Sequence, residues 1–275
     1  INGLSNSGKS DVYAIIIEPF NASSLQKCSK EFLVKLREIC DKENIVLIFD
    51  EVYTGWAKTG ELFYFMHYDI LPDILTYAKS FGGGKSSIAG YTCRDHIFKN
   101  AYGNLNDAIL HSTTYNGFGE ETVTSIEALN IILDDDYVLK SKRIYEQINS
   151  GLTVLQKKYP KILREIRGAG ALNGVLINVQ SKILESITNS IPIAFIKDER
   201  FLAKLITASI ISELYDEHNI LTFYGSNREI PLIISPSLIV TDDEIDYFLN
   251  ALDKTLDKSL LHLVLKFIKN KFLKK

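Results

Sequence analysis

Short apolar runs alternate with longer segments of helical periodicity along the first half of the chain. Residues 12–18 (VYAIIIE) form one such run, stopped by Pro19, which is the pattern of a buried strand. Residues 29–44 open on a serine cap and carry Phe32, Leu33, Leu36, Ile39 and Cys40 at helical spacing, with charges between them. Residues 45–49 (IVLIF) predict a second buried strand ending at Asp50-Glu51. Strand, helix and strand in this order predict a right-handed parallel crossover. Residues 73–78 predict a third strand, which runs into Lys79 and the glycines 82–84, and residues 88–93 predict a fourth.

Helices are predicted over 119–133 and 137–158, with Pro160 ending the second. Beyond it the texture changes. Residues 164–179 predict a turn and then a strand, followed by helix 197–217, strands 219–223 and 231–235, and helix 241–256. The fold class expected is α/β. Residues 1–150 form a mainly parallel sheet with helices on both faces, and 151–275 form a smaller C-terminal α+β domain. The boundary is expected inside the long helix near residue 150.

Composition narrows the function. Hydrophobic residues make up 46% of the 275 and charged residues 24%, which argues against a disordered chain. The net charge of −3, from 31 basic and 34 acidic residues, gives no global electrostatic case for nucleic acid. No run of about 18 apolar residues exists, so no membrane span is expected. The start shows no signal-peptide pattern. Cys28, Cys40 and Cys93 are scattered and read as reduced thiols of a cytoplasmic protein. The histidines lack metal-ligand spacing, so no metal site is expected.

In open α/β sheets, functional groups sit just past the carboxyl ends of strands. Glu18, Asp50 and Lys79 all occupy such positions. Around them lie the segments Asp50 to Gly60 (DEVYTGWAKTG), His67 to Ile74, and Tyr77 to Gly84. These segments, with Leu110 to Tyr115, resemble class III aminotransferases, the fold-type I enzymes that use pyridoxal 5'-phosphate (PLP). The 29 residues from Asp50 to Lys79 match the family's own separation. The resemblance runs from about residue 12 to 256, more weakly through Arg167 to Gly170 and Ile234 to Leu238.

The resemblance implies the C-terminal portion of the family's chain: part of the PLP-binding large domain, its N-terminal part absent, followed by the small domain. It implies transfer of an amino group from a primary amine or ω-amino acid to a 2-oxo acid. PLP acts as an electron sink. Lys79 would form the Schiff base and shuttle the proton, and Asp50 would stabilise the protonated pyridine nitrogen. Val52 would pack on the ring. Tyr53 stands where many relatives carry Gln near the ring hydroxyl, and is either a phenol donor or a packing residue. Thr114 matches the threonine that reaches the cofactor phosphate across a homodimer interface with a shared active site; Thr113 could add a backbone contact. Glu18 matches a glutamate on the substrate side.

Three departures bear on these expectations. Relatives continue after Thr114 with Gly-Gly-Asn-Pro, where this chain has Asn116-Gly117-Phe118-Gly119, so the interface is expected to be altered. Where many relatives hold a substrate carboxylate with arginine, this chain has Ile233; Arg228 is near but out of register. A site without that arginine is expected either to take an amine or diamine donor or to bind a carboxylate by other means. The family's phosphate-binding loop and ring-stacking aromatic have no counterpart here, so the chain alone is expected to bind PLP poorly. One alternative is a catalytically impaired or non-catalytic, dimerising relative. Another is a nucleotide-phosphate loop at Gly3–Ser10, which fits GxxxxGK[ST] but lacks the preceding strand and following helix. Leu260 to Lys275, with Lys266, Lys269, Lys271, Lys274 and Lys275, reads as a basic amphipathic surface helix closing the small domain.

Overall fold

The apolar run after Tyr13 folds as β1 (Ala14–Ile17), followed by the short strands β2 (Phe20–Asn21) and β3 (Gln26–Lys27), in a computed structural model that describes residues 11–107, 109–178, 199–225 and 229–270. Helix α1 (Lys30–Glu43) starts where Ser29 Oγ accepts the Phe32 N–H at 3.1 Å, and it ends at Asn44 in the left-handed conformation. It buries Leu33, Leu36 and Cys40, while Phe32 stays half-exposed. Strands β4 (Val46–Asp50), β5 (Ile74–Tyr77) and β6 (Gly90–Cys93) complete a sheet of order β1-β4-β5-β6. The first three strands are parallel, with Ile17 opposite Phe49 and Asp50 opposite Thr76, and β6 runs antiparallel. Buried Asp73, just ahead of β5, accepts from Leu47 N and from Arg37 of α1, both at 2.8 Å, and so fixes the start of both central strands. Helices α2 (Asp95–Tyr102), α3 (Gly119–Asp134) and α4 (Tyr137–Lys158) follow.

Strands β7 (Leu163–Ala169), β8 (Leu172–Ile177), β9 (Phe223–Tyr224) and β10 (Pro231–Ile234) form a second, antiparallel sheet of order β7-β8-β10-β9. Helices α5 (Glu199–His218), α6 (Asp242–Leu256) and α7 (Leu260–Ile268) accompany it. Thr241 and Glu244 form a capping box at the start of α6. Residues 163–169, expected as a turn, are a strand. Their charges hid it: Arg164 and Glu165 are exposed, and the arginines are held in ion pairs. The strand expected over 219–223 shrinks to two residues.

The described residues fall into two compact units. One holds the residues up to Phe20 with Lys27–Val138, and the other Asn21–Gln26 with the residues from Leu139 on. The division thus lies at the start of α4, not inside it near 150. The reason is packing: Ile144, Ile148, Leu152 and Leu155 give the helix one continuous buried face. That face belongs to the same core as Val175, Ile206, Leu232 and Leu252. No helix among the described residues is long and apolar enough to cross a membrane.

The end of the second unit is tied by charge as well as by Leu260, Leu263 and Val264. Buried Glu213 of α5 accepts from Lys258 and from Lys266 of α7, the latter at 2.8 Å, and Lys266 also reaches Glu217 at 2.6 Å. Lys266 is thus a structural tie on the predicted basic face; residues 271–275 lie outside the described residues. Burial pushes the Glu213 carboxyl up, but the two ammonium groups more than reverse this and hold it below the ordinary glutamate range. A depressed carboxyl contributes stability that is complete above its unfolded value of about 4.3 and is lost as pH falls through the folded value. Acid titration followed by circular dichroism should show that loss, and Glu213→Gln should flatten the dependence in this range.

Candidate functional site

Because β1, β4 and β5 are parallel, their carboxyl ends open on one edge, and Glu18, Asp50 and Lys79 follow them there. Asp50 is half-buried, and its Oδ1 accepts from Val52 N at 3.1 Å, turning the chain off the strand. Val52 and Tyr53, both half-buried, follow in that turn. The Lys79 Nζ lies 5.0 Å from the centre of the Tyr53 ring, so the Asp50 turn and the lysine meet. Lys79 is exposed and has φ +53, a left-handed conformation that a residue with a Cβ rarely adopts. It opens a short 3-10 turn, Lys79–Gly82, closed by Gly83 at φ +59. A Cβ on Gly83 would stand 3.0 Å from that of Ala128 in α3, so only glycine suits both the turn and the close approach.

Two features beneath the edge hold these loops together. Fully buried Glu51 accepts from Phe65 N at 2.8 Å, from Tyr64 N at 2.5 Å and from Thr54 Oγ1 at 2.9 Å. Burial pushes its carboxyl up, and the three donors oppose that shift. Trp56, in the same turn and left-handed at φ +61, stacks on Phe81 at 4.9 Å and 9°, and meets Tyr77 edge-on at 5.3 Å. The aromatic stack therefore joins the Asp50 loop to the Lys79 turn. Neither support was expected: a buried acid beside a predicted functional acid has no periodic signature. Lys58, two residues beyond Trp56, is pushed down to about 8 by burial.

The other expected residues stand apart. Glu18 is half-buried after β1, and its carbonyl accepts from the Cys28 thiol at 3.6 Å. Thr113 and Thr114 are exposed on the turn following His111. Thr113 lines an open cleft of 590 Å³ with Thr76, Tyr91 and Glu121. In the second unit, Ile233 is buried in β10 opposite Gly174. The neighbouring Arg164 and Arg167 are both paired with Glu229, at 3.1 and 2.6 Å. Arg228 and the Gly3–Ser10 segment lie outside the described residues.

The family model described as aminotransferase class-III matches residues 1–256. The chain belongs to that family. Class-III aminotransferases are PLP-dependent. This member is 28% identical to aminotransferase PigE of Serratia sp., over 91% of this chain and 32% of that protein. It is 30% identical to acetylornithine aminotransferase of Caldanaerobacter subterraneus, over 90% of this chain and 54% of that enzyme. The structure of a transaminase from the marine bacterium Virgibacillus superposes with a TM-score of 0.76 at 20% identity, covering 92% of this chain and 54% of that one; this likeness shows the fold alone. The α/β architecture is thus that of fold-type I transaminases. The class-III chain spans about a third to a half of the lengths of these curated relatives.

The residues present fit PLP in their chemistry. An amine and a carboxylate stand at the ends of adjacent strands, as an aldehyde and a pyridine nitrogen on one flat ring require. Val52 and Tyr53, both half-buried, follow Asp50 in its turn, and the Tyr53 ring is the one that Lys79 meets.

Proposed function

We propose that the edge formed by Asp50, Val52, Tyr53 and Lys79 is a PLP site. The whole protein then moves an amino group from a primary amine or ω-amino acid to a 2-oxo acid. The observation that carries this reading is the meeting of the Asp50 turn with the left-handed Lys79 at the carboxyl edge of β4 and β5. When bound, PLP supplies an electron sink at the carbon bearing the amine. Lys79 would offer the nitrogen that attaches the cofactor, and would then carry the proton from the substrate carbon to the cofactor. Asp50 keeps a proton on the pyridine nitrogen by charge. Val52 and Tyr53 wall the ring, and Glu18 borders the substrate side.

Thr114, exposed on its turn, suits a role toward the phosphate held by a neighbouring subunit, which makes the working form a homodimer with a shared site. Where many relatives carry a carboxylate-binding arginine this chain has Ile233, which favours a donor presenting a terminal amine. The free thiols of Cys28, Cys40 and Cys93 suit a reducing cytoplasm.

Peptide mapping tests the central residue. The chain is incubated with PLP, reduced with borohydride and digested. Lys79 is expected to carry the dominant adduct. Lys58 is the competitor, since its lowered value also makes a reactive amine. An adduct concentrated on Lys58, or spread over exposed lysines such as Lys42, removes Lys79 from the proposed role.

A further inference from the structure

A cavity of 290 Å³ opens within the second unit, between α4, β10, α6 and the chain that leads from α5 into β9. Its walls include Ile148 of α4, Ile234 of β10, and Ile245 and Phe248 of α6, with Ile220 and Val240. Ile148, Ile234 and Ile245 are buried members of the unit's main core, so three elements of that core hold the cavity's shape. A close-packed interior has few voids larger than a water molecule. An apolar cavity of about 150 Å³ already takes up benzene. Leu221, Phe223 and Tyr247 line the same cavity and stand exposed, so its entrance is apolar too.

Two polar features limit what fits. Glu244, the one charged residue among those lining the cavity, accepts from Thr241 N at 2.9 Å and from Thr241 Oγ1 at 3.0 Å in the capping box of α6. Among the described residues no cationic side chain lines the cavity, so an anion would enter unpaired beside a carboxylate. Thr222 also lines it and is buried, and its hydroxyl has no hydrogen-bond partner. A turn about χ1 from one staggered position to another brings that hydroxyl to the cavity with no bond to break. We infer that this cavity is a binding site for a neutral molecule with an apolar body about the size of a bicyclic ring and one hydrogen-bonding group, which Thr222 meets. Binding withdraws the apolar walls from water and satisfies the hydroxyl. The site lies wholly in the second unit and does not rest on the reading of Lys79.

The test uses indole, which has such a body and one N–H donor, and indene, which has the same ring frame without the N–H. Each is titrated calorimetrically into the full chain, into Thr222→Val and into Val240→Phe. The parent is expected to bind both, indole more tightly. Thr222→Val keeps the shape and removes the hydroxyl, so it should weaken indole by about three- to tenfold and leave indene unchanged. Val240→Phe fills the cavity from its wall, abolishes binding of both and leaves the melting temperature equal or higher. Methyl spectra place the ligand: the signals of Ile148, Ile220 and Ile245 move on adding indole, and those of Ile15 and Ile17 in β1 do not. A parent that binds neither molecule overturns the inference. So does a Thr222→Val chain that weakens both alike or leaves indole unaffected, because the hydroxyl then selects nothing. Binding that survives in a folded Val240→Phe chain, or methyl shifts confined to other isoleucines, places the ligand elsewhere and overturns it equally; should Val240→Phe not fold, the methyl shifts of the parent alone decide the location.

Discussion

Replacing Glu51 with alanine is expected to lower the unfolding free energy by about 3–5 kcal/mol. The side chain is fully buried, and its loss strands three donors: Tyr64 N, Phe65 N and Thr54 Oγ1. Each buried donor left without an acceptor costs about 1–3 kcal/mol, and water entering the cavity recovers part of that. Glu51→Gln should fall between the parent and the alanine variant, because one oxygen still accepts while the new amide nitrogen faces an N–H. Trp56 is the chain's one tryptophan and sits in the same turn, so its fluorescence during urea unfolding reads the effect directly. A midpoint unchanged in Glu51→Ala would mean that the turn is held by the aromatic stack alone.

Asp50→Asn is expected to weaken PLP binding by about a hundredfold to several thousandfold, with little change in stability. The loss follows from leaving a pyridinium without its counter-charge, about 3–5 kcal/mol by analogy with broken buried pairs, at about 1.4 kcal/mol per factor of ten. Asparagine keeps an oxygen that can accept from Val52 N, so the turn persists and the charge alone is removed. Spectroscopic titration with PLP, alongside a thermal melt, separates the two effects. Equal affinity in parent and variant would place the pyridine nitrogen elsewhere.

The parallel sheet was legible because its strands are buried runs with clear stops, and α1 because Ser29 and the spacing of Leu33, Leu36 and Cys40 agree. The positions of Asp50 and Lys79 at the ends of β4 and β5 were legible for a different reason: the end of a parallel strand is a fixed address, whatever the side chain. Strand β7 was missed because its alternation is carried by arginines and glutamates whose pairing is tertiary. The unit boundary was missed because a helix shows in sequence which face is apolar, and not which core that face meets. Glu51 and Trp56 were missed as supports because nothing local distinguishes an acid that accepts from distant backbone from one that meets solvent. The Tyr53 contact with Lys79 depends on two turns arriving together, which spacing alone does not encode.

A side chain bearing a Cβ costs about 1–2 kcal/mol where the backbone is left-handed, and Lys79 stands in that region without any compensating hydrogen bond described for its amine. Glycine would occupy the same position without that cost. In any descendant of this gene released from selection for chemistry, the lysine codon is therefore among the first expected to erode, because stability alone favours its replacement.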